Sequence, residues 1–215
     1  MTNFRQDFLE YVIAHKILLF GEFSLKSGRR SPYFFNSGLF NSGAKLATMG
    51  HYYAQAITDA KIEFDMLFGP AYKGIPLVSA ASIALWGHFQ RDAPYAFNRK
   101  ETKTHGEGGQ LVGAPLSGKV LIIDDVISAG LTIGESVELV RHSGATPVAV
   151  VISCDRQERG TTSTLSAVQE VSAKYQIKVI SIINLQQIIA YLSSQNQYAT
   201  ILARLQQYQQ EYGVS

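Results

Sequence analysis

Short apolar strands alternate with helical stretches through most of this chain, and this alternation limits the possible folds more than any other feature. The strands are predicted at residues 64–68, 94–98, 120–123, 148–152 and 178–183. The helices between them are predicted at 44–60, 75–87, 131–143 and 164–175. Because strands that are apolar throughout must be covered on both faces, this pattern predicts an α/β fold with a central parallel sheet flanked by helices.

The two ends of the chain are different in character. An apolar stripe predicts a packing helix over residues 3–19, and the Gly-, Ser- and aromatic-rich segment 21–43 predicts short strands joined by turns. A polar, glycine-containing loop is expected at 99–118, and another at 154–163. A glutamine-rich tail follows the last strand and keeps helical apolar spacing.

Composition excludes several classes of protein. With 46% hydrophobic and 17% charged residues the chain is not disordered, and the single cysteine, Cys154, excludes a disulfide framework and an all-cysteine metal site. A net charge of +2 argues against a nucleic-acid partner. No apolar run is long enough to cross a membrane and no signal peptide is evident, so a cytoplasmic location is expected.

A loop with two acids and several small residues directly follows the apolar strand at 120–123. Its members are Asp124, Asp125, Val126, Ile127, Ser128, Ala129, Gly130, Leu131 and Thr132. Ligands of parallel sheets bind outside the carboxyl ends of the strands, and backbone N–H groups at a helix N-terminus can hold a phosphate. The acids would repel that phosphate but could bind ribose hydroxyls, a water or a metal ion. Acids for the sugar beside a phosphate-binding loop predict a phosphosugar site. The alternative is an acidic strand end that caps the next helix.

Two further loops carry positive charge near strand ends. Tyr72 and Lys73 follow a strand that Gly69-Pro70 ends, and an ammonium group there could hold a pyrophosphate; the alternative is an exposed lysine in a turn. The segment 99–105 holds Arg99, Lys100, Lys103 and His105 against one acid. Such a run is often only a solvated face, but mobile cations over a phosphosugar site would also suit a closing lid.

Four segments occur in the order that is typical of one family. They are LKSGRRSPYFFNSGLFNSG at 25–43, GPAYKGIPL at 69–77, NRKETKTHGEGG at 98–109 and the acidic loop at 124–132. Together they resemble the type I phosphoribosyltransferases, and the orotate phosphoribosyltransferases in particular, from about residue 4 to the early 190s. The resemblance implies a single domain over 1–215, with a small hood subdomain largely from 1–43, a core at about 44–195 and a helical tail at 196–215.

The resemblance also implies an activity and a set of site residues. The activity is transfer of the phosphoribosyl group of phosphoribosyl pyrophosphate to orotate, with Mg²⁺ bound mainly through the substrate's pyrophosphate and ribose and no firm protein ligand. Lys103, His105, Asp124 and Asp125 would be catalytic, and Arg99 and Lys100 would bind substrate with Tyr72, Lys73 and the 124–132 loop. The 99–109 loop would reach into the partner's site in a homodimer.

Orotate recognition is implied for a third group of residues. These residues are Lys26, Phe34, Phe35, Ser128 and Arg156. Cations can pair with a carboxylate, arginine does so through a fork of donors, and aromatic rings offer a flat surface to a base. Taken singly, the phenylalanines would be core residues and the two cations surface charges.

The phosphate loop departs from the family's usual pattern at two positions. Ser128 stands where a threonine is common and keeps the hydroxyl, whereas Leu131 replaces a threonine, and Thr132 or backbone N–H groups would have to compensate. Two other functions remain open. A phosphoribosyltransferase for another base would need a different hood, against which 25–37 and Arg156 argue. A non-catalytic regulator would be expected to add a basic DNA-binding module, which is not visible.

Overall fold

The structure is a computed structural model that describes residues 3–25, 27–103, 109–127 and 130–214. The first half forms α1 (Asn3–Ala14), β1 (Leu18–Ser24), β2 (Arg30–Phe35), a 3₁₀ turn (Ser37–Leu39), α2 (Gly43–Asp59), β3 (Met66–Gly69), α3 (Gly74–Phe89) and β4 (Tyr95–Lys103). The second half forms β5 (Gly109–Gly113), β6 (Lys119–Ile123), α4 (Leu131–His142), β7 (Thr146–Asp155), α5 (Ala167–Tyr175), β8 (Lys178–Asn184), α6 (Leu185–Ser193), a 3₁₀ turn (Asn196–Tyr198) and α7 (Ala199–Tyr212). Within these ranges no helix is long and apolar enough to cross a membrane.

The central sheet has six strands in the order β5-β4-β3-β6-β7-β8. All neighbouring pairs are parallel except β4 and β5, which are antiparallel at one edge. Side chains alternate across the sheet: Leu121 and Ile123 of β6 lie in one apolar cluster, while Val120 and Ile122 lie in the other. The first cluster includes residues of α1, α2, α3, α6 and α7, and the second includes residues of α4 and α5. The predicted α/β architecture with a covered parallel sheet is confirmed.

The long loop predicted at 99–118 is wrong in its first half. Strand β4 continues to Lys103 and pairs with β5, so the two strands form a hairpin at the edge of the sheet. Lys103 and Gly109 are its last paired residues before the connection. The charged residues 99–103 concealed this strand, because an edge hairpin needs no continuous apolar face. The basic residues Arg99 and Lys100 therefore lie on a strand next to the edge of the sheet.

The first helix is shorter than the predicted 3–19. It ends at Ala14, Lys16 adopts a left-handed backbone with φ of 55°, and β1 begins at Leu18. Ile17 is buried after the turn, so its apolar side chain extended the helical pattern without belonging to the helix. Strands β1 and β2 form a separate antiparallel sheet, as the 21–43 segment predicted, and the glutamine-rich tail is helical as expected.

Candidate active site

Sheet topology brings three predicted loops to the same edge. Strands β3, β6 and β7 are neighbours in parallel orientation, so their carboxyl ends lie side by side. Lys73 follows β3, Asp124 and Asp125 follow β6, and Arg156 follows β7. The position of the site therefore follows from strand order, as expected for a parallel sheet.

Asp124 is fixed at the end of β6 and is only 7% exposed. Its backbone N–H donates to the Val151 carbonyl at 3.1 Å, and its own carbonyl accepts from the hydroxyl of the fully buried Tyr53 at 2.6 Å. Its carboxylate Oδ1 accepts from the backbone N–H of Asp125 at 2.8 Å. Burial, and then the charge of Asp125, raise the pKa of Asp124 to about 7, although the Asp125 N–H and Lys73 oppose the shift.

Asp125 is 6% exposed and has a cationic partner. Its Oδ2 accepts from Lys73 Nζ at 2.6 Å and from the Ser37 hydroxyl at 2.7 Å, and Lys73 also donates to Ser37 at 3.0 Å. The Asp125 carbonyl accepts from both the N–H and the hydroxyl of Ser153 on β7. Asp125 thus joins β6 to the loop after β3 and to the 3₁₀ turn after β2.

The turn between β3 and α3 depends on two glycines. A Cβ at Gly69 would lie 2.3 Å from the Gly74 carbonyl oxygen, and one at Gly74 would lie 2.6 Å from Pro70 Cδ. Lys73 stands at the N-cap of α3, where the Gly74 N–H donates to the Pro70 carbonyl at 2.9 Å and the Ile75 N–H donates to the Tyr72 carbonyl at 3.3 Å, and Pro76 has no N–H. The first N–H groups of α3 are therefore already used, but the positive end of the helix dipole and the Lys73 ammonium both favour an anion at this turn. Tyr72 is exposed on the same turn, with its ring centroid 5.1 Å from Lys100 Nζ.

A cavity of about 400 Å³ connects the β3 loop with the start of α4. Lys100 and Thr132 both line it, together with Asn98 and the Pro70-Ala71 backbone. Gly130 precedes α4 with a left-handed φ of 70°, which favours glycine there.

The remaining described residues of the 126–132 loop differ in exposure. Val126 is half-buried and packs against one apolar cluster, and Leu131 is exposed. Ile127 is buried in the other cluster, so only its backbone is available to a ligand.

The two aromatic residues Phe34 and Phe35 point to opposite sides of β2. Phe35 is buried in the core, with its ring centroid 6.3 Å from that of Phe8. Phe34 is exposed and stacks on Phe23 with centroids 5.6 Å apart. The strand therefore offers a ligand the ring of Phe34, whereas only the backbone of Phe35 is available.

Arg156 is an internally paired residue and not a free surface charge. Its Nη2 donates to Glu158 Oε1 at 2.5 Å and to the Ser31 hydroxyl at 3.1 Å, and its guanidinium lies 4.5 Å from the Tyr33 ring centroid. Burial opposes the charge of Arg156, but Tyr33 and Glu158 outweigh it and raise the pKa of this arginine further. The guanidinium therefore remains charged.

Several predicted residues lie wholly or partly outside the described part of the chain. Lys26, His105, Ser128 and Ala129 are outside it, and Lys103 is described only through its backbone in β4. Arg99 is half-buried on β4 and Lys100 is exposed. Among described residues, the structure brings Lys73, Asp124 and Asp125 into one network and places Lys100 and Thr132 around one cavity.

Sequence reasoning missed several residues that hold the site together. Ser37 bonds to Asp125, Tyr53 bonds to the Asp124 backbone, and Glu158 and Ser31 bond to Arg156. Ser31 and Ser37 lie within the 25–43 segment that resembles the family, so the sequence did place them near the predicted site. Tyr53 is one apolar residue in a helix, and nothing in its local sequence marks it.

Comparisons with known proteins agree with this geometry. Residues 37–181 match the family described as "Phosphoribosyl transferase domain". The chain is 54% identical over 214 residues to the orotate phosphoribosyltransferase of Serratia proteamaculans and 53% identical to that of Cronobacter sakazakii, each match covering 100% of both chains. The crystal structure of orotate phosphoribosyltransferase from Francisella tularensis superposes with a TM-score of 0.88 at 46% identity, covering 96% of this chain and 99% of that one. The chain therefore belongs to the phosphoribosyl transferase family and, within it, to the orotate phosphoribosyltransferases.

Proposed function

We propose that this protein transfers the phosphoribosyl group of 5-phosphoribosyl 1-pyrophosphate to orotate, producing orotidine 5'-monophosphate and pyrophosphate for pyrimidine nucleotide synthesis. The observation that carries the proposal is the network of Lys73, Asp125 and Asp124 beside the N-terminus of α3. It combines an anion site with two acids at the carboxyl edge of the sheet. Full-length identity of 54% to a named orotate phosphoribosyltransferase supports the choice of base.

The residues divide into roles according to the charge that each part of the substrate carries. Tyr72 and Lys73 would hold the pyrophosphate at the positive end of the α3 dipole, and the 126–132 backbone with Thr132 would hold the 5-phosphate. Asp124 and Asp125 would bind the ribose hydroxyls. As the bond to pyrophosphate breaks, positive charge develops on the ribose, and nearby carboxylates stabilise it while cations stabilise the leaving group.

The basic hairpin would act as a lid over this site. Arg99 and Lys100 lie on β4, and Lys103 and His105 of the basic segment would supply the most catalytic cations. Closure would exclude water and strengthen the attraction between these cations and the departing pyrophosphate.

We also propose a homodimer in which the 99–109 loop serves the partner's site. Ile83 and Trp86 on α3 are 72% and 57% exposed, so this helix presents large apolar side chains to solvent in the monomer. Tyr72 is exposed just before the same helix. Burying this face against a second copy would bring the two substrate sites near one interface.

Mg²⁺ would accompany the pyrophosphate, whose charge it would partly neutralise during departure. Within the described ranges no group of three or more His, Cys, Asp or Glu side chains is placed to hold a metal ion. Asp124 and Asp125 fit a supporting role, because carboxylate oxygens suit this hard cation and its water ligands. The substrate's pyrophosphate and ribose would provide the main ligands.

The base would be recognised at the hood. Arg156 and Lys26 would meet the polar groups of orotate, Phe34 would offer its ring, and Phe35 and Ser128 would complete the set. Ser31 of β2 bonds to Arg156 and Ser37 bonds to Asp125, so the hood contacts both halves of the proposed site. We further propose the single-domain division into hood 1–43, core 44–195 and tail 196–215, and a cytoplasmic location.

Orotate consumption in the presence of phosphoribosyl pyrophosphate and Mg²⁺, followed by ultraviolet absorbance, tests the activity. We expect turnover with orotate, none without phosphoribosyl pyrophosphate, and little with uracil or hypoxanthine. Turnover with another base but not orotate would show that the family assignment does not determine the substrate here. Binding of phosphoribosyl pyrophosphate without turnover of any base would support a regulator instead.

Mixed dimers test the shared loop. A Lys103→Ala chain and an Asp124→Asn/Asp125→Asn chain should each be poorly active, but mixing them after mild dissociation should restore activity, since one site then receives an intact loop and intact acids. Subunit exchange would be proven with differently tagged chains. Proven exchange without recovery would contradict loop sharing.

A further inference from the structure

The loop after β7 places two oppositely charged side chains against each other. Gln157 has a left-handed backbone with φ of 51°, and its N–H donates to Asp155 Oδ1 at 2.9 Å. This tight turn separates Arg156 from Glu158, whose side chains form an ion pair at 2.5 Å. The backbone turn at Gln157 thus places the Arg156 and Glu158 side chains next to each other.

Glu158 is too well buried for an ordinary surface carboxylate. Its side chain is 11% exposed, and its Oε1 also accepts from the Tyr33 hydroxyl at 3.4 Å. Arg156 is 19% exposed, so the partners are shielded together. In such a setting the loss of one partner leaves the other charge uncompensated, which costs far more than breaking an exposed pair.

The C-terminal segment, defined here as residues 208–214, covers this turn. Tyr208 of α7 is buried with its ring edge-on to Tyr33 at 6.3 Å between centroids. Beyond the helix the chain pairs with the turn itself: Arg159 N–H donates to the Tyr212 carbonyl at 2.8 Å, and Val214 N–H donates to the Gln157 carbonyl at 2.9 Å. The end of the chain thus holds the turn that sets the Arg156–Glu158 geometry.

We propose that Glu158 is a positioning residue for Arg156, and that the C-terminal segment holds both in place for recognition of the base. The inference rests on the proposed function, in which Arg156 contacts orotate. Both hydrogen bonds of Arg156 to Glu158 and Ser31 use Nη2. A guanidinium has five N–H donors, so three remain for a planar ligand with carbonyl or carboxylate oxygens. Glu158 and Ser31 select the orientation in which those donors are presented.

Steady-state kinetics of four full-length variants test this role. Glu158→Gln keeps the size and one acceptor but removes the charge, Arg156→Ala removes the proposed reader, and the double variant combines them. Glu22→Gln is the matched control, because Glu22 also joins the hood to α7 through Arg204 but is exposed. The measurements are KM for orotate, KM for phosphoribosyl pyrophosphate, kcat and melting temperature.

A positioning role predicts a selective pattern. Glu158→Gln should raise KM for orotate about 10-fold, the usual scale for a hydrogen bond to a charged group, with KM for phosphoribosyl pyrophosphate unchanged. Adding Glu158→Gln to Arg156→Ala should cause no further rise, and Glu22→Gln should resemble the unmodified protein. If Glu158→Gln does not fold at the assay temperature, Ser31→Ala, which removes the second acceptor, should raise KM for orotate selectively.

Three outcomes in the variants that carry Glu158→Gln would overturn the inference. They are an unchanged orotate KM in Glu158→Gln, equal rises in both KM values, and additive effects in the double variant, which would show that Glu158 does not act through Arg156. Failure of the proposed function is distinguishable from all three, because the unmodified protein would then not consume orotate. An unchanged orotate KM in Arg156→Ala would refute the assignment of Arg156 and with it this role of Glu158.

Discussion

Replacing Asp124 by asparagine should stabilise the ligand-free protein at alkaline pH while lowering its activity. The carboxyl group of Asp124 is buried next to Asp125, and its pKa is raised from 3.8 to about 7. A raised pKa means that the folded state favours the protonated acid, so the stability contributed by protonation is complete below the unfolded pKa and is lost as pH rises through the folded pKa. Asparagine cannot ionise and keeps an oxygen for the Asp125 N–H.

The size of the effect follows from the pKa difference. About three units at 1.36 kcal/mol each give a cost of about 4 kcal/mol for ionised Asp124, reached above pH 7. Between pH 5 and pH 8 the advantage of Asp124→Asn over the unmodified protein should therefore grow by about 2–3 kcal/mol. For a chain of this length that corresponds to a relative rise in melting temperature of roughly 5–10 °C.

Thermal and urea unfolding from pH 5 to pH 8 measure this difference directly. Titrating groups far from Asp124 are common to both proteins, so their contributions cancel in the comparison. Asp92→Asn serves as the control for the loss of one carboxylate, because Asp92 is exposed and is not part of the buried pair. A constant stability difference between Asp124→Asn and the unmodified protein across this range would refute the argument that buried charge at Asp124 destabilises the fold.

Three other variants test separate parts of the structure. Tyr53→Phe removes the hydroxyl that donates to the buried Asp124 carbonyl at 2.6 Å. In urea titrations this should lower the free energy of unfolding by about 1–3 kcal/mol. A change within error of zero would show that this hydrogen bond does not stabilise the fold. Ile83→Asp places a charge on the exposed apolar face of α3 and should convert the proposed dimer to monomer in analytical ultracentrifugation. A dimer that persists in this variant would exclude this face as the interface. Lys103→Ala should reduce kcat about 100-fold or more with little effect on orotate binding, and unchanged turnover would refute a lid cation acting on the leaving pyrophosphate.

Local patterns in the sequence were sufficient to predict the sheet and the loops at its edge. An apolar run followed by Asp124-Asp125 marks a buried strand end, and Gly69-Pro70 marks the end of β3, because each signal depends only on neighbouring residues. The β4–β5 hairpin was missed because residues 99–103 of β4 are mostly polar and lie beyond the part of the strand that pairs with β3. The helix predicted to 19 was too long because Ile17 is apolar in either conformation.

The supporting contacts could not be predicted, since they join residues far apart in the chain. Tyr53 and Asp124 are separated by 71 positions, and Ser31 and Arg156 by 125. Nothing in a short window indicates which buried tyrosine reaches a strand end. The alternation of β2 separates Phe34 from Phe35 in a similar way, because it depends on which face of the strand meets the core.

Two adjacent aspartates, equivalent in the sequence, occupy different electrostatic environments in the fold. Asp125 has an ammonium and a hydroxyl on one carboxylate oxygen, whereas Asp124 is held mainly by a backbone N–H and meets Lys73 only as a weaker influence. A pair of acids whose environments differ in this way can divide a task between them. Asp125 forms an ion pair with Lys73, and a bound pyrophosphate would compete with Asp125 for the same ammonium group. Asp124, with a pKa near neutrality, can accept a hydroxyl's hydrogen bond when ionised and donate one when protonated, so its protonation would couple the proposed sugar binding to pH.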